Sequence, residues 1–227
     1  MTTSSIWIIM ILVMVLSYII QNTLNSRFDK YSRIQTPQGL TGAEVARKML
    51  HDNGITNVSV EHIQGKLTDH YNPETKTLNL SDAVYSSNSI AAAAVAAHEC
   101  GHAVQDAFSY GPLRMRSAMV PVVSFASKWV QWVLLAGVIF IESFPQLLWI
   151  GIALFATTTL FSLVTLPVEV DASRRAVEWL ESAGIAYGET KDMAQDALKW
   201  AAYTYFIAAI GSLATLLYYI SIADRRR

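Results

Sequence analysis

Ala91–Asp106 reads AAAAVAAHECGHAVQD. Within it, His98-Glu99-Cys100-Gly101-His102 is an H-E-x-x-H set among strong helix formers, so the two histidines fall at i and i+4 on one face of one helix. One helical turn brings two imidazoles near enough to share a tetrahedral Zn2+ at roughly 2.0–2.1 Å each. Zinc lowers the pKa of a bound water toward about 7, and Glu99, beside the first histidine, is placed as the general base that takes its proton during attack on a carbonyl. The chemistry implied is metal-assisted amide hydrolysis. The simpler reading, two ordinary helix histidines, has to contend with context. Ala91 through Ala97 is alanine throughout except for Val95, which makes the helix apolar and buried. A buried histidine pair flanking a carboxylate is costly unless it binds something.

Around this helix the 227-residue chain is 52% hydrophobic and only 15% charged, with a mean hydropathy of +0.31. These values describe a membrane protein. A net charge of −1 supplies no basic field for nucleic acid, and no nucleic-acid-binding signature is present. The single cysteine, Cys100, excludes an internal disulfide. Lying two residues after His98, it points away from the ligand face and reads as a small packing residue rather than a metal ligand.

Upstream, Ile6–Ile20 is apolar apart from Ser17 and reads as an uncleaved membrane anchor. A signal peptide is the rival, but no basic region precedes the run and no small-x-small site follows it. A polar α+β region comes next. Thr41-Gly42-Ala43-Glu44 is a capping box opening a helix that ends near Asn53-Gly54. Ile55–Ile63 favours a strand, and Asp69–Leu80 a hairpin around Asn72-Pro73-Glu74. The second arm, Lys76–Leu80, is expected to lead directly into the histidine helix. It serves there either as a packing strand or as a cleft edge that pairs with an extended peptide. His51 and His62 read as solvated or capping residues. His70, near the turn, is a candidate donor to a transition-state oxyanion.

Downstream, Pro112–Pro121 leads back to apolar sequence. Val120–Ile141 and Leu147–Leu166 read as a membrane hairpin with Glu142-Ser143-Phe144-Pro145 at its tip. Pro167–Trp200 is a second polar block, with a helix over Asp171–Ser182 and another from Thr190 that runs into the apolar Ala201–Ile222. The expected fold is mainly α: a polytopic membrane protein of about four transmembrane helices with a small α+β zinc peptidase domain. The expected divisions are an anchor at 1–22, the α+β domain at 23–119, the hairpin at 120–166, a helical insertion at 167–200, and a last membrane helix with a basic tail at 201–227.

Catalytic zinc takes three protein ligands and keeps an open position, so the motif needs one more donor. A metzincin would place Gly at Gln105 and His at Phe108, and this chain does not. Two membrane crossings separate the histidine helix from Pro167, so the segment after the second crossing returns to the histidine side. That parity selects Glu169 and Asp171 and rejects Glu142. Glu169 is the expected third ligand. Asp171 could orient a ligand, substitute for Glu169, or simply cap a helix. Arg27, Lys30, Arg33, Arg114, Arg116, Arg174, Arg175 and Lys199 all flank membrane segments on that same side, which the positive-inside rule puts in the cytoplasm. Arg225, Arg226 and Arg227 oppose this assignment if all four stretches cross.

The order of anchor, mixed domain, AAAVAAHECGHAVQ, membrane hairpin and LPVEVDASRRA resembles the YugP-type neutral zinc metallopeptidases of bacterial membranes over nearly the whole chain. The resemblance implies a gluzincin-like domain, one Zn2+ held by His98, His102 and Glu169, and Glu99 as the catalytic acid and base. The architecture is also similar to HtpX-type membrane peptidases, whose third ligand lies in Glu-x-x-x-Asp; here Ser173 stands at the position of that Asp. The function expected is a membrane-embedded zinc endopeptidase on the cytoplasmic side of a bacterial membrane, with a peptide or membrane-protein segment as substrate and the bilayer as its setting. The alternatives are a non-proteolytic adaptor or chaperone-like protein in which zinc fixes the fold, and a zinc amidase acting on a non-protein substrate. Oligomeric state is not legible in the residues.

Overall fold

The computed structural model describes residues 3–65 and 67–224; the three terminal arginines lie outside the described residues. The chain is mainly helical with one three-stranded sheet. It divides into two units. One comprises Met1–Ile19, Met115–Leu166 and Thr204–Arg227, the other Ile20–Arg114 and Pro167–Tyr203.

Among the described residues, four helices are long and apolar enough to cross a membrane: Trp7–Tyr31, Gly111–Ile139, Pro145–Ser182 and Glu189–Asp224. They lie in α1 (Thr3–Tyr31), α5 (Gly111–Ile139), α6 (Pro145–Ser182) and α7 (Glu189–Asp224). In the first unit these helices expose Ile8, Leu12, Trp129, Trp132, Ile139 and Leu217, a surface suited to lipid rather than water. Small residues let backbones approach: a Cβ on Gly137 would sit 2.6 Å from Leu148 Cα. The hydroxyls of Thr157, Thr158, Thr159 and Ser162 return to carbonyls of their own helix, and Thr159 also meets Ser212 at 2.8 Å. They pack helices and satisfy themselves locally.

The second unit is built on α4 (Ile90–Ala107), the helix that carries the H-E-x-x-H set. Ser89 caps it by accepting from Ala92 N. Its alanines pack against α2 (Gly42–Asp52), whose capping box at Thr41 and Glu44 forms as the sequence indicates and whose end is marked by Gly54 at φ +69°. The sheet consists of β1 (Ser59–Ile63), β2 (His70–Asn72) and β3 (Thr77–Ser81) in the order β1-β3-β2. β3 runs antiparallel to β2 and parallel to β1. The hairpin turns where Asn72 Oδ1 accepts from the backbone of Glu74 and Thr75.

Four sequence expectations change. The strand at Lys76–Leu80 is central, with both edges already paired, so it cannot add a peptide strand; β1 and β2 are the edge strands instead. It also does not lead directly into the histidine helix, because α3 (Asp82–Tyr85) intervenes. Pro167 does not end a helix, since α6 runs through it for 38 residues. Glu169 and Asp171 therefore sit in helix interior, and Asp171 is not an N-cap. The anchor helix likewise continues to Tyr31. In each helical case a polar block reads as a boundary in the sequence although backbone hydrogen bonding carries on across it.

Candidate metal centre

His98 and His102 stand one turn apart on α4 with ring centroids 4.9 Å apart and planes at 81°. Glu169 reaches them from α6. Its Oε2 lies 3.2 Å from His98 Nε2 and 3.6 Å from His102 Nε2. Close approach of the two helices depends on Gly101, where a Cβ would fall 2.7 Å from Ala172 O. Only a residue without a side chain fits there, and it lies on α4 between the two histidines.

The other nitrogen of each imidazole is held. His102 Nδ1 lies 3.0 Å from Gln105 Oε1, and Gln105 Nε2 donates to Val168 O at 2.8 Å and to Asp171 Oδ2 at 2.9 Å. With the Gln105 amide committed as donor to those two oxygens, its Oε1 accepts, so His102 carries a proton on Nδ1 and turns Nε2 toward Glu169. Asp171 is in turn gripped by Arg174 and Arg175, each at 2.6 Å. Ser173 Oγ lies 3.1 Å from His98 Nδ1. The serine thus stands behind the first histidine as Gln105 stands behind the second.

Electrostatics follow from burial and pairing. Burial alone would push the Glu169 carboxyl up, but its hydrogen bonds to His102 and His98 prevail and hold it well below the usual carboxylate range. For His102, burial opposes the charged form, yet the Glu169 hydrogen bond and the charges of Glu99 and Glu169 leave its pKa raised. Asp171 is pushed up by burial and brought below its ordinary value by Arg175, Gln105 and Arg174. Burial drives the Cys100 thiol well above its ordinary pKa; its Sγ faces Ala46 O, in the core.

Two imidazole nitrogens and a carboxylate oxygen lie within 4.8 Å of one another, a set that can hold a metal ion. Two histidines and a carboxylate are a donor set of catalytic rather than structural zinc sites. Glu99 is on the same helix, and its Oε2 accepts from Tyr71 N at 3.1 Å, on the edge of β2 that no strand pairs. The Tyr71 hydroxyl bonds Asp106 at 2.7 Å, and Lys76 reaches the same carboxylate at 2.5 Å, which ties the hairpin to α4.

The structure does not bring every candidate to this cluster. His70 has both nitrogens engaged, Nδ1 with Thr68 O at 2.8 Å and Nε2 with Asn79 Nδ2 at 3.2 Å, which leaves it no free donor for an oxyanion. Asp171 is set apart from the metal-side atoms by Gln105. His62 pairs with Asp82 at the surface, and His51 is exposed beside Asp52. Gln105, Ser173 and Tyr71 take positions around the site that spacing within α4 does not disclose.

A family model described as "Putative neutral zinc metallopeptidase" matches residues 6–224. The curated protein "Putative membrane protease YugP" of Bacillus subtilis (strain 168) is 42% identical over 207 residues, covering 91% of this chain and 91% of that protein. No solved structure shows a significant match. With a match that spans nearly its whole length, the chain belongs to this neutral zinc metallopeptidase family.

Proposed function

We propose that the chain is a membrane-embedded zinc endopeptidase with His98, His102 and Glu169 as metal ligands and Glu99 as the general base. The observation that carries this reading is the convergence of Glu169 on both Nε2 atoms of the H-E-x-x-H pair. Bound zinc would supply Lewis-acid polarisation of the scissile carbonyl and acidify the attacking water. The protein's own residues do the rest. Gln105 and Ser173 fix the imidazoles with Nε2 facing the cluster. The Tyr71 N–H holds the Glu99 carboxylate at the strand edge, ready to accept a proton from the attacking water and pass it to the leaving amine. Glu169, buried and paired, stays ionised at neutral pH.

We assign the peptidase domain to 23–119 with 167–200, and the membrane part to 1–22, 120–166 and 201–227. We assign the site to the cytoplasmic side, a reading that the basic residues beside the spans support. A structural-zinc adaptor fits less well, because among the described residues the donor group has three members where a structural site takes four. Purified protein tests the reading. Glu99→Gln should retain zinc and lose cleavage of an unfolded protein by at least about 100-fold, the lower range for removing a general base. Unchanged cleavage in that variant would overturn the mechanism.

A further inference from the structure

Behind His98, on its Nδ1 side, the second unit holds a cavity of about 470 Å3 between the 170–181 part of α6 and the 191–203 part of α7. Ser173 is in its wall with the hydroxyl turned to His98 Nδ1, so the cavity adjoins the back of the metal cluster rather than the face where Glu169 meets Nε2. Its size is that of a ligand site, in the range of about 300–1,000 Å3.

The lining is amphipathic along its length. Val170, Val177, Leu198 and Ala202 form an apolar floor. At the end farther from the apolar helices, Lys191 pairs with Glu181 at 2.7 Å, and Arg174 is paired with both Asp171 and Glu178. Lys199 differs: it is exposed, lies over the Tyr203 ring at 5.7 Å, and among the described residues has no carboxylate partner. This cation lines the cavity together with Val170 and Tyr203, the lining residues nearest in sequence to the apolar unit. Tyr203 directly precedes Thr204, and Val170 follows Leu166 by one helical turn, the two points at which the chain passes into its apolar unit. By length along the helix that turn is about 6 Å. Trp200, beside the cavity, packs edge-on to Tyr203 at 5.4 Å, so this stretch of α7 carries the aromatic and basic residues typical of headgroup depth.

We propose that this cavity binds an anionic phospholipid, with the phosphate on Lys199 and an acyl chain along Val170, Val177, Leu198 and Ala202. The inference is independent of the peptidase reading, because the ligand and the readout do not involve the metal. Charge complementarity and membrane depth select a lipid over a soluble phosphate, and an apolar floor would be wasted on the latter.

The test uses the full chain in nanodiscs of equal phosphatidylglycerol and phosphatidylcholine with matched chains, released gently and weighed by native mass spectrometry, with the thermal midpoint recorded for each variant as a check on folding. Wild type should retain phosphatidylglycerol in preference to phosphatidylcholine. Lys199→Glu should lower that retention about fivefold or more, the effect of removing roughly 1 kcal/mol of cation attraction at a membrane surface. Ala202→Trp, which fills the cavity, should abolish retention of either lipid, while Lys30→Glu, a juxtamembrane charge elsewhere, should change nothing. Equal retention of the two lipids by wild type, an unaltered Lys199→Glu, or displacement of the lipid by inorganic phosphate would overturn the proposal. So would Ala202→Trp that keeps its lipid and instead raises the KM for peptide, which would make the cavity a substrate subsite. Should Ala202→Trp fail to fold, Lys199→Glu alone decides.

Discussion

Each imidazole of the site is held by a different neutral group, Gln105 for His102 and Ser173 for His98, and only the first is backed by charge, through Asp171 and its two arginines. Partners behind ligating histidines set tautomer and ring orientation, and their loss costs about 10–100-fold in metal affinity. Gln105→Leu should therefore weaken zinc binding by about that factor, measured by competition with a chelator. Ser173→Ala should cost less, since no charge stands behind the serine. A Gln105→Leu protein that binds zinc as tightly as wild type would show that the amide does not orient His102. The two histidines were legible in the sequence because i and i+4 on a helix is a local relation. Gln105 and Ser173 were not, because their work depends on the register of α4 against α6, a pairing between residues 75 positions apart in the case of Ser173 and His98. Gln105 entered the sequence argument only as the residue that rules out a metzincin, and Ser173 only as a departure from a related motif.

At the scale of elements, α4 is the organising piece, with α6 against one side and the β2–β3 hairpin against another. Gly101 sets the first contact. Gly101→Ala would force its new Cβ against the Ala172 carbonyl and separate the helices, an overpacking penalty of about 1–3 kcal/mol. The measurable result is a lower thermal midpoint together with less bound zinc, and an unchanged midpoint would deny the close contact. The second contact is the clasp of Tyr71 and Lys76 on Asp106. Burial raises the Asp106 carboxyl, but the hydrogen bonds from Lys76 and Tyr71 outweigh it and leave the folded pKa below the unfolded one. The clasp is therefore at full strength above the ordinary carboxylate pKa of about 3.9 and is lost as pH falls below it. Amide exchange in residues 70–81 should quicken as pH is taken below about 4, relative to intrinsic rates, and Asp106→Asn should remove that dependence. Here the hairpin itself was readable from Asn72-Pro73-Glu74, while the strand order was not. Which of two strands lies at an edge is fixed by the distant β1, and that choice moved the free edge from β3 to β2. A polar block or a proline in an apolar stretch hides a helix that continues across it, as Pro167 sits inside α6 without stopping it.

For the whole molecule, composition and four long apolar runs made the membrane class plain before any geometry, because span length is dictated by bilayer thickness. The sidedness of the site is a proposal that labelling can test. Cys100 is fully buried, so single cysteines placed by Ser143→Cys and Glu74→Cys report their own exposure. An impermeant maleimide added to intact cells should modify the first and leave the second until the cells are opened. The reverse pattern would put the peptidase face outside. The account as a whole rests on Glu169 as a metal ligand and Glu99 as a base that is not one. The direct measurement is zinc content by elemental analysis of purified wild type, Glu169→Ala and Glu99→Gln, alongside cleavage of an unfolded protein. The account predicts one zinc in wild type and in Glu99→Gln, little in Glu169→Ala, and cleavage by wild type alone. Equal zinc in all three, or cleavage by Glu99→Gln at the wild-type rate, would contradict it.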